Sequence, residues 1–482
     1  VKDSGGAGTI YLKHSGLTYG ALIINNNSNP ITSLSGTSFL PSLAGTVNAA
    51  PGSNTLPVSV SSSPALLSSY NNLYTGMSLR PNLAFDNGTP NLWSDDNIVT
   101  LASNTSSTLT TTANFSGVSS GNSFRTIDVL DHLEVLSGSV LSSNGDIYVN
   151  NGPISNAGGS LNFSGFLQLY GSASIYPAIP AITLSSGTYT FDNLNTAALT
   201  ISGATVTLNG PSSIPGDLTV SSGSLTSNST LSVGGNLAVS GGTLSLASPV
   251  SLTGNLTLSS TGKITQVPTT TTTVNAINIT LGGNLSLSGT SSIDASAVGY
   301  PAGYSYGPTG PSTALASSSG VGSSHGGSGG YSSTGTLGPT YDDYKNPSYP
   351  GAGSYSSYEG GGVIRITATG SCTINSGTII TANAPATGSS TGYGGAGGSI
   401  YMNCASFAGT AGSSAITANG GNAYSSSVSG GGGGMIAMIS TGNAASFSGS
   451  FAYPNTSTNL TNFKSVVKAY GGSYSSSTKD AG

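Results

Sequence analysis

The densest group of ionisable side chains in the chain lies in Ile127-Asp128-Val129-Leu130-Asp131-His132-Leu133-Glu134-Val135. Read as a strand, this run puts Asp128, His132 and Glu134 on one face and His132 about 7 Å from Glu134. An imidazole beside a carboxylate is a candidate acid/base pair, so Asp128, His132 and Glu134 are the candidate catalytic residues. The same run also reads as an ordinary solvated strand. Glycoside hydrolysis needs two carboxylates facing each other across a cleft. Asp95-Asp96 and Asp342-Asp343 are each adjacent in sequence, so in a strand their side chains point to opposite faces. His325 reads as a loop residue, with a metal role as the alternative. The Gly-Gly-x-Gly segments lack the Asp that a calcium-binding nonapeptide requires. No Gly-x-Ser-x-Gly elbow is expected at a strand-to-helix turn, and the Gly-rich runs precede strands, which argues against a phosphate cradle. No metal and no cofactor is expected.

The elements that would position such groups are legible in the composition. Of 482 residues, 10 are Lys or Arg, 15 are Asp or Glu and 72 are Gly. Charge at 5% argues against a nucleic-acid binder and against a charge-laced helical bundle. The net charge of −5 gives no steering field. Hydrophobic residues make up only 36%, yet Leu, Ile and Val are spread evenly, which favours an ordered all-β chain over a disordered one. No apolar run approaches the roughly 18 residues of a membrane span. Two cysteines, Cys372 and Cys404, are too few for a disulfide scaffold or a zinc site. The chain starts at Val1 without Met or a signal-like segment, so a mature or internal fragment is expected, and low charge, abundant Ser, Thr and Asn and few Cys favour an extracellular or cell-surface location.

Internal repeats set the architecture. Gly216-Asp217-Leu218-Thr219-Val220 recurs as Gly235-Asn236-Leu237-Ala238-Val239 and as Gly254-Asn255-Leu256-Thr257-Leu258, 19 residues apart each time. Gly283-Asn284-Leu285-Ser286-Leu287 follows after 29, the Thr-rich stretch before it carrying an insertion. Apolar residues alternate within each unit, a strand pattern. Nearer the C-terminus, Gly361-Gly362-Val363-Ile364 matches Gly397-Gly398-Ser399-Ile400 and Gly433-Gly434-Met435-Ile436, with a spacing of 36. Thr381-Ala382-Asn383 and Thr417-Ala418-Asn419 keep the same 36. These periods predict a right-handed parallel β-helix, in which like residues stack into ladders and neutral Ser, Thr and Asn avoid stacking like charges. Cys372 and Cys404, 32 apart in units of 36, fall on adjacent coils. They are a possible disulfide, with two buried thiols as the alternative.

Four regions follow: an irregular β region over 1–125, coils of period about 19 over 126–297, an insertion over 298–360, and coils of period 36 over 361–482. Within the first, the Pro/Ser/Asn-rich stretch 25–90 reads either as irregular coils or as a side domain. The insertion holds nine of the 23 tyrosines. Of these, Tyr300, Tyr304, Tyr306, Tyr341, Tyr344, Tyr349, Tyr355 and Tyr358 form a possible contact surface for a neighbouring subunit or a glycan. A solvated loop packed on the coils is the other reading. The two Lys-Asp dipeptides of the chain, Lys2-Asp3 and Lys479-Asp480, stand near opposite ends at an offset of 477. They suggest a unit of a tandem array, or ends built to continue one another.

The segments Gly361-Gly362-Val363-Ile364-Arg365-Ile366, Ile416-Thr417-Ala418-Asn419-Gly420-Gly421, Ser324-His325-Gly326-Gly327 and Gly5-Gly6-Ala7-Gly8-Thr9-Ile10-Tyr11-Leu12-Lys13 resemble those of very large bacterial secreted surface proteins. Those proteins carry Gly-rich parallel β-helices of the pectin-lyase-like, adhesin-like type. In them the last segment typically follows the Gly-Gly-x-Ile array, whereas here it precedes it. The resemblance implies a fold and a surface location more than an activity. The expected function is structural and non-enzymatic: a rod-like extracellular unit joined head to tail with itself in a fibre, sheath or stalk. A carbohydrate-binding or polysaccharide-degrading β-helix, adhesin or lyase, is the alternative.

Overall fold

A computed structural model describes residues 43–60, 74–82, 98–135 and, apart from 332–334, 357, 387–391 and 424–427, residues 196–473; elsewhere it describes the strands named below and a few residues beside them. Asp95-Asp96, Lys2-Asp3 and Lys479-Asp480 lie outside the described residues. The chain is all-β, with one α-helix, Ser457–Val466, among the described residues. It divides into two compact units: 1–199 with 203–212, and 200–202 with 213–482.

The second unit shows most plainly how the repeats build structure. Each repeat contributes three short strands, and each strand pairs in parallel with its equivalent one repeat later. One ladder runs Leu218, Leu237, Leu256, Leu285, Cys372, Phe407. The second runs Leu225, Leu244, Ile264, Ile293, Ile380, Ile416. The third runs Leu231, Val250, Ile279, Ile366, Met402, Met438. All of these side chains except Met438 are at most 1% exposed. Parallel pairing at about 4.8 Å stacks like on like, so a residue that fits the core once fits it at every level.

The turns are specified as tightly as the core. In the Gly-Asn-Leu segments the Asn oxygen accepts a hydrogen bond from the backbone of the next repeat. Asn255 N donates to Asn236 Oδ1 at 3.0 Å, Asn284 N to Asn255 Oδ1 at 2.8 Å and Ser371 N to Asn284 Oδ1 at 2.8 Å. Asp217 begins the chain of acceptors, taking Asn236 N at 2.7 Å. The Gly-Gly pairs are needed because backbones meet there. A Cβ on Gly398 would stand 2.0 Å from Gly362 O, and one on Gly434 2.0 Å from Gly398 O.

In the first unit the same parallel principle operates over a shorter span. Asp146–Asn150 pairs in parallel with the second half of Ser123–Leu130 and with Phe166–Tyr170, and Phe166–Tyr170 with Thr188–Phe191. His132–Val135 lies between Ala21–Ile24 and Pro153–Ser155, also in parallel, while Thr9–Leu12 runs antiparallel on the outside of Ala21–Ile24.

A second motif was not legible in the sequence. Ala44–Val47, Thr55–Val60, Thr108–Thr111, Val99–Asn104, Ser78–Arg80 and Ser123–Leu130 pair in that order, and the last returns to the first, closing a six-stranded barrel. Every pair in the ring is antiparallel. Leu43, Val47, Leu56, Val58, Tyr74, Leu79, Val99, Leu101, Leu109 and Phe124 fill it. The irregular region expected before residue 125 therefore contains a closed barrel with its own core. Ser123–Leu130 serves both motifs, since Ile127 pairs antiparallel with Ser78 and in parallel with Asp146.

Contact between glycine backbones gives a sharp expectation for stability. Gly398→Ala is expected to cost about 2 kcal/mol by forcing repeats apart. Gly412→Ala, which meets nothing within 4 Å, is expected to change stability by less than about 0.5 kcal/mol. Denaturant midpoints of the two variants measure the difference, and equal midpoints would contradict it.

Candidate functional site

The ionisable run at 127–135 does not stay on one strand. It breaks at Asp131, whose carboxylate accepts Gly20 N at 2.9 Å while its own N–H donates to Gly20 O at 2.8 Å. Asp128 therefore sits on Ser123–Leu130, opposite Ile147, while His132 and Glu134 sit on His132–Val135, opposite Ala21 and Ile23. His132 Nε2 and Glu134 Oε2 are 3.8 Å apart with a little over a quarter of each side chain exposed. The structure thus brings His132 and Glu134 together and places Asp128 in a different sheet. Asp128 retains some exposed surface, yet protein encloses its carboxyl group, and that desolvation pushes its pKa up to about 7.

The second candidate region, the insertion, leaves the ladders between Ser292–Asp294 and Val363–Ala368. The repeats on either side of it stack directly, Ile277 on Ile364 and Ile293 on Ile380. Buried Gln266 ties both ends of the loop. Its Nε2 donates to Val298 O at 2.8 Å, and its Oε1 accepts Val363 N at 2.8 Å. Arg365 reaches out from its strand, donating to Pro347 O and to Asn346 Oδ1 at 2.7 Å, and lies over the ring of Tyr401 at 4.4 Å.

Asp342 is the hub of the insertion. Its Oδ2 accepts Ser348 N at 2.8 Å, Tyr349 N at 2.9 Å and Ser399 Oγ at 3.1 Å, and stands 3.4 Å from His325 Nε2. Its Oδ1 accepts Asp343 N at 2.8 Å. Burial opposes ionisation here, but His325 and the backbone donors of Tyr349, Ser348 and Asp343 outweigh it and hold the pKa down to about 2. His325 Nδ1 faces Gly397 O at 2.7 Å, and since a carbonyl only accepts, this nitrogen carries the proton. Ser399, Asp342 and His325 name the members of a hydrolytic triad in the wrong order. The carboxylate stands between hydroxyl and imidazole, whereas nucleophilic catalysis needs the imidazole in the middle. All three side chains are buried, so the cluster pins the insertion to the strand Ser399–Cys404.

The tyrosines divide accordingly. Tyr300 is fully buried, and its hydroxyl has no hydrogen-bond partner. Burial, then the nearby Tyr349, Tyr306 and Asp342, raises its pKa. Tyr341 packs between Tyr306 at 5.6 Å and His325 at 4.8 Å, and its hydroxyl donates to Pro350 O at 2.6 Å. Tyr349 closes on Tyr306 edge to face at 4.7 Å. Tyr300 is thus covered, while Tyr306 and Tyr341 pack with it in one aromatic group and remain half-buried. Tyr344 and Tyr355 are exposed, and Tyr304 and Tyr358 are half-buried. Alternate Tyr spacing in a Gly/Ser loop carries no inside-outside signal, so only the structure separates the two sets.

Cys372 and Cys404 form a disulfide with a Cα–Cα distance of 5.9 Å, and both are fully buried. An open cleft of about 330 Å³ is lined by Asn383, Asn419, Asn422 and Tyr470, among others. Its amide oxygens are already committed: Asn383 Oδ1 to Asn419 N, Asn419 Oδ1 to Tyr470 N and Asn422 Oδ1 to Ser473 N. Among the described residues no group of three His, Cys, Asp or Glu could hold a metal ion, and no helix is long and apolar enough to cross a membrane. The residues that sequence reasoning missed are Gln266, Arg365 and Ser399. Gln266 stands where the neighbouring repeat has Leu246 and Ser399 stands between Val363 and Met435, and that mismatch was the available signal for these two; Arg365, opposite Asn278 and Tyr401, gave none. No family model, no curated protein and no solved structure matches this chain.

Two of the perturbed carboxylates, Asp342 and Asp128, act in opposite directions on stability. Asp342, with its folded pKa depressed, contributes stability above its unfolded value that is lost as pH falls from about 4 to about 2. Asp342→Asn is expected to loosen the insertion at neutral pH by about 2 kcal/mol, seen as faster amide exchange over 335–356 with the ladders unchanged. Asp128 binds its proton more tightly folded than unfolded, so it lowers stability as pH rises from about 4 to about 7. Asp128→Asn is expected to raise the denaturant midpoint at pH 8 and to leave it near the parent value at pH 4. A variant no more stable than its parent at pH 8 would contradict this.

Proposed function

We propose that this protein is a structural β-helix: three parallel ladders per coil, right-handed, exported from the cell and joined end to end with copies of itself. The first ladder goes on from Phe407 to Phe447 and the second from Ile416 to Val467, and the observation that carries the reading is the state of the last rungs of the third. Ile364, Ile400, Ile366 and Met402 are fully buried, but Ile436 and Met438, which follow them, are only half-buried on an outer strand. A parallel ladder that stops with apolar rungs half covered has a natural continuation in another strand of the same kind.

Three further features support it. The few charges are largely engaged in holding the chain together: Lys263 with Asp294 at 2.7 Å, Arg125 with Asp146 at 3.4 Å, and Asp342 and Arg365 at the insertion. Serine, threonine and asparagine ladders give a neutral, hydrogen-bonding outer wall suited to lateral packing. A disulfide between repeats suits an oxidising compartment. His132 and Glu134 favour the alternative, a polysaccharide-active β-helix, since they are the one imidazole-carboxylate contact with solvent access among the described residues.

The outcome expected in negative-stain microscopy of the purified protein at rising concentration is filaments of uniform width. Dispersed single particles at every concentration would contradict the structural reading. Product release from an acidic polysaccharide that disappears in His132→Ala would establish the alternative.

A further inference from the structure

Three short segments of the second unit, Asn383-Ala384-Pro385-Ala386, Asn419-Gly420-Gly421-Asn422 and Tyr470-Gly471-Gly472-Ser473, lie side by side on successive levels. Ala384 N donates to Asn419 O at 2.9 Å and Gly420 N to Tyr470 O at 2.8 Å. The first residues of the segments stack, since Asn419 N donates to Asn383 Oδ1 at 2.6 Å and Tyr470 N to Asn419 Oδ1 at 2.8 Å. Three residues further on, Ser473 N donates to Asn422 Oδ1 at 2.9 Å. The open cleft of about 330 Å³ is lined by both columns, and the lining residues that separate them are all Ala or Gly. Levels about 4.8 Å apart make it a trough that crosses repeats.

The hydrogen bonds that build the columns also orient what is left over. A backbone N–H only donates, so the amide atom it meets is the oxygen, and the Nδ2 of Asn419 and of Asn422 is fixed on the other branch of the side chain. Among the described residues neither nitrogen has a partner, whereas Asn383 Nδ2 donates to Thr417 Oγ1 at 3.0 Å. Tyr470, 57% exposed, adds an aromatic ring and a hydroxyl to the lining.

The lining selects among ligands. Among the described residues no charged side chain lines the cleft, so it offers no cation to a phosphate or carboxylate. The N–H groups of Ala384, Gly420 and Gly421 are all bonded to neighbouring segments, which leaves no row of open donors for an added peptide strand. Fixed amide donors beside an exposed aromatic ring suit a ligand with apolar ring faces and many hydroxyls, the chemistry of a neutral sugar. Donors already held in place cost little to order on binding. We infer that this trough binds an uncharged glycan, with one sugar ring against Tyr470 and hydroxyl oxygens accepting from Asn419 Nδ2 and Asn422 Nδ2. It is a binding site without a catalytic group, and it does not depend on the end-to-end joining proposed above.

The test titrates the full chain with short neutral oligosaccharides of glucose, mannose, galactose and N-acetylglucosamine, with oligogalacturonate as the charged comparison. At least one neutral probe is expected to saturate the protein with a dissociation constant of about 1 mM or tighter, and oligogalacturonate to bind more weakly. Tyr470→Ala is expected to weaken binding about tenfold and Tyr470→Phe by less than about threefold. Tyr344→Ala, at an exposed tyrosine of the insertion, is expected to leave it unchanged. Ala386→Arg adds bulk at an exposed position of the cleft without removing a side-chain hydrogen bond. It is expected to weaken binding as Tyr470→Ala does, and it locates the site should Tyr470→Ala disturb the fold. Saturation by no neutral probe, tighter binding of oligogalacturonate, or binding that survives both Tyr470→Ala and Ala386→Arg would overturn the inference. Filament formation bears on none of these outcomes.

Discussion

Hydrogen bonding between each residue and its own equivalent in the next repeat is the constraint on which the rest of this molecule depends. It holds the repeats at a single spacing of about 4.8 Å, and every side chain must then tolerate a near copy of itself above and below. Leu225, Leu244, Ile264, Ile293, Ile380 and Ile416 satisfy that condition inside. Outside, a column of like charges at that spacing would repel, and Ser, Thr and Asn do not. The Asn of the Gly-Asn-Leu turn goes further, since its amide oxygen closes the hydrogen bond to the next level. Gly-Gly pairs occupy the corners where backbone meets backbone too closely for a Cβ. The scarcity of charge, the abundance of glycine and the polar outer wall have one cause.

Some of the few charges lie within the ladders, as Lys263 with Asp294 does, and others hold the one large departure from them. The insertion leaves and rejoins the stack without disturbing it because Gln266 bonds to both of its ends. Arg365 and Asp342 hold its middle, one by reaching out from the strand and the other by gathering donors from the loop, from Ser399 and from His325. The aromatic rings of Tyr300, Tyr306 and Tyr341 pack against one another within it. A loop rich in glycine and serine is thereby a folded body with its own small core.

The legible parts of the sequence were those that repeat. Periods of 19 and 36 could be read from Leu218, Leu237 and Leu256 and from Ile364, Ile400 and Ile436 because stacking forces equivalent residues to be alike. The barrel escaped notice because antiparallel strands have no such requirement. Leu56 faces Leu109 and Leu79 faces Val99 without any fixed spacing along the chain. The run around Asp128 misled for a related reason. Its alternation continues through residues 127–135, but Asp131 turns the chain by bonding to Gly20, so one apparent strand becomes two in different sheets. Cysteine spacing narrowed the pair to adjacent repeats, and the fold settled that they join.

The central claim is that backbone pairing between equivalent residues continues from repeat to repeat and, in the proposed assembly, from copy to copy. Diffraction from an aligned preparation of the assembled protein tests it most directly. The account predicts a strong meridional reflection near 4.8 Å, from strands lying across the axis and hydrogen-bonded along it. A reflection at that spacing on the equator instead, with strands running along the axis, would contradict it.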